Sequence, residues 1–257
     1  MPTALITGAT AGIGLAFATQ LAASGHDLVL VARDPERLKS TAEQLATTYG
    51  VRTEILPADL TDRDQLALVE ERVASVDAPI DLLVNNAGFG LKKRFGANTA
   101  DEETQMLEVL VVAVLRLSHA ALGAMRKRYL ADGVRGGIIN VSSVAGFLPR
   151  GTYSAAKAWV NSFSEWAATE YKSEGVHVMA LCPGFTKTEF HERMGVERDS
   201  APEFMWLDVN DLVAEALRDF DRQRVFSIPS WRYKTVVGVT KLIPKPVLQR
   251  FQSLGRK

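Results

Sequence analysis

Short apolar runs and longer mixed segments alternate along the chain from its first residues. The runs are Ala4–Ile6, Leu28–Val31, Thr53–Leu56, Leu82–Val84, Ile138–Val141 and Val176–Leu181. Between them lie segments with helical periodicity or many alanines, near 12–24, 35–49, 62–76, 100–130, 153–173 and 208–222. Runs this short, apolar at consecutive positions, predict strands buried on both faces. Asp34-Pro35 and Thr61-Asp62 mark helix starts, because a carboxylate caps free amides and proline suits the first helical position. The expected architecture is α/β: a doubly wound, Rossmann-like parallel sheet that binds ligands beyond the carboxyl ends of its strands. No internal repeat or Gly/Ser/Pro-rich linker splits this pattern, so residues 1–230 read as one domain.

The last stretch breaks the alternation. Residues 231–257 hold seven Lys or Arg residues and no Asp or Glu, with apolar residues interspersed and Pro244 and Pro246 interrupting any long helix. This basic extension is expected to pack on the domain or across a subunit boundary. A membrane-surface element is the alternative.

Composition narrows the function classes. With 257 residues, 47% hydrophobic, and equal counts of basic and acidic residues, the chain can build a substantial core. It has no net charge to attract nucleic acid. Cys182 is the only cysteine, which excludes an intrachain disulfide and a cysteine-based zinc cluster. The chain opens directly on a strand pattern, with no basic n-region before it and no run of about 18 apolar residues. The cytoplasm is the expected compartment.

Three segments carry candidate chemistry. Tyr153-Ser-Ala-Ala-Lys157 puts a phenol and an ammonium one helical turn apart. A nearby cation favours the phenolate, and a tyrosine tuned downward can exchange a proton near neutral pH. The same spacing also occurs on solvated helices. Thr7-Gly8-Ala9-Thr10-Ala11-Gly12-Ile13-Gly14 follows the first strand and opens a helix. Its glycines permit a tight turn and close approach of a pyrophosphate to helix N-terminal amides. Its Gly-x3-Gly-x-Gly spacing differs from the common Gly-x-Gly-x2-Gly, and a ligand-free turn is the alternative. Arg33 ends the second strand where dinucleotide folds hold an acid for a ribose hydroxyl or an arginine for a 2′-phosphate. Asp34 reads as an ordinary helix cap. The expectation is NADP(H), with NAD(H) as the alternative. Asp59-Leu60 and Asn85-Asn86-Ala87-Gly88 follow strands three and four, where loops line the same cleft or satisfy their own turns.

Taken together, these motifs resemble the short-chain dehydrogenase/reductase family over roughly residues 3–230. The glycine loop, the Asn-Asn-Ala-Gly motif, Ser142-Ser143, Tyr153-x3-Lys157, and Pro183-Gly184 with Thr188 occur in the family's order. The resemblance implies an NADPH-dependent oxidoreductase that interconverts carbonyl and alcohol. Tyr153 would be the general acid or base, Lys157 would bind the nicotinamide ribose and lower the Tyr153 pKa, and Ser143 would hold the substrate oxygen. Gly8, Thr10, Ala11, Gly12, Ile13, Gly14, Arg33, Asp59, Leu60, Asn86, Ala87, Gly88, Pro183, Gly184, Thr186 and Thr188 would contact the cofactor, Asp59 through adenine. A homodimer or homotetramer through the long helices is implied as well.

Two departures stand out. Leu110 occupies the place of a family asparagine that bends a helix and exposes a carbonyl on a proton path. Ser143 and Tyr153 are only ten residues apart, a shorter loop than the family norm. The expected substrate is small to medium and apolar, facing Phe89, Phe147, Leu148, Phe185, Phe190 and Met194, with 187–206 as a lid. Leu110 motivates the rival reading, a cofactor-binding sensor or scaffold with little turnover. The basic extension motivates another, a lipid-metabolism reductase at a membrane surface.

Overall fold

Among the described residues, seven strands form one parallel sheet in the order β3-β2-β1-β4-β5-β6-β7. The computed structural model describes residues 1–188 and 202–242. The strands are β1 (Thr3–Thr7), β2 (Asp27–Ala32), β3 (Thr53–Pro57), β4 (Leu82–Asn85), β5 (Gly136–Val141), β6 (Val176–Leu181) and β7 (Phe226–Ser227). The helices are α1 (Gly12–Ala23), α2 (Pro35–Tyr49), α3 (Arg63–Val73), α4 (Ala100–Leu107), α5 (Ala113–Asp132), α6 (Thr152–Glu170), α7 (Val209–Asp221) and α8 (Trp231–Leu242).

Alternate strand residues feed two cores, as the two-residue strand period requires. Ala4 and Ile6 of β1, Leu28 and Leu30 of β2, and Leu82 and Val84 of β4 pack with α1, α2 and α7. Leu5, Val29, Val31 and Leu83 point to the other face and pack with α3, α5 and α6. Both faces are therefore covered, which explains the continuous apolar runs of the inner strands. β3 departs from the expectation of burial on both faces. It is the sheet edge, and Glu54, Ile55 and Pro57 are exposed.

The strand order reverses between β1 and β4, and the crevice at that switch point opens at the carboxyl ends of the strands. Two features escaped the sequence pattern. β7 has two residues, too few for a periodicity. The segment expected as one helix over 100–130 is broken by a π-helical turn, Glu108–Val112, closed by the Ala113 N–H on the Glu108 carbonyl. The whole helix, Ala100–Asp132, is long and apolar enough to cross a membrane, yet half of its most apolar window is buried. Ala113, Leu117, Ala121 and Met125 lie in the second core, which accounts for the apolar composition.

Candidate active site

At the carboxyl edge, β1 turns sharply into α1. Gly8 and Gly12 have φ of +67° and +52°, the left-handed region that favours glycine. Gly14 has a different reason: a Cβ there would fall 2.2 Å from the Gly8 carbonyl oxygen and 2.4 Å from Asn86 Nδ2. The start of α1 has no side-chain cap, with Ala11 at the cap position and no acid in the first turn. Asp34, Asp62, Thr99 and Asp208 cap α2, α3, α4 and α7. The first amides of α1 are thus left for an anion, and this donor set fits a dinucleotide pyrophosphate.

Around that loop the other expected cofactor residues divide into two groups. Arg33 is exposed just beyond β2, and Asp34 accepts the Glu36 and Arg37 amides at 3.1 Å, which makes it the helix cap its sequence context implied. Thr188 lies over the loop, since a Cβ on Gly12 would come within 3.2 Å of the Thr188 side chain. By contrast, Asn86 Nδ2 donates to the Thr7 and Gly8 carbonyls at 2.8 and 3.2 Å, so its amide ties β4 to the glycine loop. Thr7 Oγ1 accepts the Asn86 and Ala87 amides at 3.0 Å. Asp59 Oδ1 accepts from both the amide and the hydroxyl of Thr61 at 2.9 Å, and Leu60 is buried. Thr186 is buried and donates to the Gly184 carbonyl at 3.0 Å. The side chains of Asp59 and Thr186 bond within their own loops, and that of Asn86 bonds the glycine loop.

Arg37 was not singled out in the sequence. Its Nη2 donates to the Thr10 carbonyl at 3.1 Å, placing a guanidinium beside the glycine loop. A signal was present: a basic residue in the first turn of α2 opposes the helix dipole.

Ser143, Tyr153 and Lys157 come together at the ends of β5 and α6. Ser143 caps the one-turn 3-10 helix Val144–Phe147, accepting the Ala145 amide at 3.1 Å, and shares a hydrogen bond with Tyr153. Its neighbour Ser142 is buried and donates to the Lys157 carbonyl at 3.0 Å. Of the two adjacent serines, one ties sheet to helix and the other faces the phenol. Lys157 is buried, and its Nζ donates to the Val141 carbonyl at 2.7 Å.

Burial pushes the Tyr153 phenol up to about 12, and the hydrogen bond from Ser143 only partly offsets it. Burial pulls the Lys157 ammonium down to about 8, with a smaller opposing effect from Cys182. The ammonium lies 5.8 Å from the centroid of the Tyr153 ring, a cation–π arrangement. In this arrangement the Lys157 ammonium bonds a main-chain carbonyl and lies over the Tyr153 ring.

Leu110 sits in the middle of the π turn, 1% exposed, in a cluster with Met106, Ala156, Phe89 and Tyr153. The helix distortion that an asparagine would support is present without its amide. Apolar packing against Tyr153 and Gly88 holds the turn instead.

Of the residues expected to face substrate, Phe89 packs in the Leu110 cluster. Phe147 packs against Phe226 of β7, with ring centroids 6.1 Å apart. Phe185 lies 5.4 Å from the Trp206 ring. Phe190, Met194 and most of the expected lid lie outside the described residues, as do residues 243–257 of the basic extension. The described part of that extension, α8, packs on the domain through buried Tyr233 and Val237.

Comparison with known proteins decides the family. The short chain dehydrogenase family model matches residues 2–199. The chain belongs to this family. A solved short-chain dehydrogenase from Sphingobium yanoikuyae in complex with NADPH is 37% identical, with a TM-score of 0.83 over 95% of this chain and 97% of that one. The bulky-bulky ketone specific alcohol dehydrogenase from Comamonas testosteroni is 34% identical, with a TM-score of 0.79 over 95% and 96% of the two chains. Very-long-chain 3-oxoacyl-CoA reductase-A of Danio rerio is 33% identical over 193 residues, 72% of this chain and 58% of that protein. The chain spans about 60% of the length of the first curated relatives it matches.

Proposed function

We propose that this protein is an NADP(H)-dependent oxidoreductase that interconverts a carbonyl and an alcohol on a small to medium, apolar substrate. The convergence of Ser143, Tyr153 and Lys157 beside an uncapped glycine-loop helix carries this reading. The names of its relatives, an NADPH complex and a ketone-specific alcohol dehydrogenase among them, support it.

When bound, a nicotinamide dinucleotide would supply the two-electron reductant. The amides at the start of α1 would hold its pyrophosphate, and Arg33 would favour a 2′-phosphate through a planar, permanently charged fork, with Arg37 beside the glycine loop. Ser143 positions the substrate oxygen next to Tyr153. The high pKa of Tyr153 keeps the phenol protonated across the neutral range, so it holds the proton that a nascent alkoxide needs. Lys157, with a pKa near 8, holds or releases a proton close to neutral pH and can pass one inward from solvent. The π turn at Leu110 keeps the local distortion that the sensor reading assumed lost, which favours turnover over mere binding.

A cytoplasmic assembly of two or four copies belongs to the same proposal. It would use the outer faces of α5 and α6, where Leu115 and Trp166 are exposed, and sedimentation velocity is its check. The activity test is a panel of aldehydes, ketones and acyl substrates with NADPH and NADH. NADPH should be preferred, and Arg33→Ala should erase about ten- to a hundredfold of that preference, the range expected for a phosphate ion pair. Equal use of both cofactors by the parent protein would refute the Arg33 assignment.

A further inference from the structure

The proposal for Tyr233 rests on the cofactor reading above and adds a component to it. Tyr233 lies on α8, in the basic extension, far in sequence from every motif of the site. It is 2% exposed. Its hydroxyl accepts the Phe185 amide at 2.9 Å and donates to the Met205 carbonyl at 2.8 Å. One phenol thus bridges the segment leaving β6 and the segment returning to α7. Its ring occupies the space over Gly184: a Cβ there would fall 2.0–2.3 Å from three of its ring carbons. In this chain the glycine of Pro183-Gly184 is required by a tyrosine about fifty residues later.

The neighbouring contacts reinforce this arrangement. The Leu207 amide donates to the Phe185 carbonyl at 2.8 Å, and the Lys187 amide to the Leu207 carbonyl at 3.1 Å. Arg232 donates to the Phe204 carbonyl at 2.5 Å, and Lys187 pairs with Glu203 at 2.6 Å. α8 is itself anchored, with Lys234 on Glu215 of α7 at 2.7 Å. Its inner face also packs on the 3-10 helix that Ser143 caps. Past Phe185 the held segment reaches Thr188, whose side chain rests on Gly12 of the cofactor loop.

We infer that Tyr233 is a positioning residue for the cofactor: it sets Phe185–Thr188 against the glycine loop and makes α8 part of the catalytic unit. Removing the hydroxyl leaves a part-buried amide and a part-buried carbonyl without this partner, and the segment shifts to find others. The effect should fall on dinucleotide affinity rather than on proton transfer.

The test is NADPH titration calorimetry on the full chain, with kcat and KM measured on the same samples. Tyr233→Phe should raise the NADPH Kd about tenfold while kcat at saturating NADPH stays within about twofold, because lost buried hydrogen bonds cost on that scale. Gly184→Ala, which drives a methyl into the ring, should raise Kd similarly. In a Tyr233→Ala background the same Gly184→Ala change should add less than about twofold, since the clash is gone. A purely structural role would lower the urea midpoint and leave Kd unmoved. A Tyr233→Phe Kd within about twofold of the parent's would overturn the inference, as would a Gly184→Ala effect of equal size in both backgrounds. If Tyr233→Phe fails to fold, Gly184→Ala in the parent background alone decides: an NADPH Kd within about twofold of the parent's overturns the inference. A parent that prefers NADH overturns the cofactor reading only, and the same ratios on NADH then judge Tyr233.

Discussion

The two halves of the sheet build their parts of the site in different ways. In the first half, β1 to β3, the site is local: the glycine loop, its helix and Arg33 all lie within about one βαβ unit of the chain, and short-range sterics explain each of them. In the second half, β5 to β7, Ser143 depends on Tyr153 ten residues on, Ser142 on Lys157, and Gly184 on Tyr233. The lesson is that the glycine-loop side of the site is written in short motifs, whereas the opposite side is assembled by contacts between elements, including contacts from the tail.

The largest expected effect separates the two halves outright. Tyr153→Phe should reduce carbonyl reduction by about a thousandfold, the middle of the range for a general acid, and leave NADPH affinity within about twofold. Steady-state rates and a binding titration on one preparation check it. Reduction close to the parent's would mean a different proton donor.

A smaller effect tests the burial of Lys157. Its folded pKa lies near 8, below the usual lysine value near 10.5, so between those values the unfolded chain binds more protons than the folded one. Stability should therefore rise with pH across about 8 to 10 from this group, by about 2–3 kcal/mol at most by linkage. Tyr153 acts in the opposite sense only above pH 10, where the unfolded phenol ionises first. Urea unfolding at several pH values should show the rise in the parent and a flatter profile in Lys157→Met. Parallel profiles would place the ammonium in a more solvated setting.

The smallest effect concerns the border between the halves. Leu110→Asn restores the residue type that the family resemblance led us to expect. Because the π turn already exists and its surroundings are apolar, turnover should stay within about twofold while stability falls by about 1–3 kcal/mol, the cost of burying an unpaired amide. A clear gain in turnover would show that leucine impairs the proton path.

What the sequence disclosed follows the same division. The six longer strands and the helices between them were legible, because consecutive apolar runs and caps are local signals, whereas the meeting of Ser143, Tyr153 and Lys157 was implied by the family resemblance. The roles of Asn86 and Asp59 were harder to read. An amide or carboxylate after a strand can face a ligand or its own loop, and here Asn86 bonds Thr7 and Gly8 while Asp59 bonds Thr61. Spacing also says nothing about desolvation, which raises the Tyr153 pKa in this setting. Tyr233 was invisible for another reason: nothing in its own neighbourhood names Gly184 as its partner.

The π turn between α4 and α5 can also be viewed as a change of phase. Each residue advances an α-helix by about 100°, so a turn holding one surplus residue rotates everything before it relative to everything after. That offset lets Met106 face Tyr153 and Ala156 while Ala113 and Leu117, a few residues on, face the sheet. A regular helix of the same composition would have to choose one of these two neighbours. The irregularity lets a single rod serve both the catalytic pocket and the structural core.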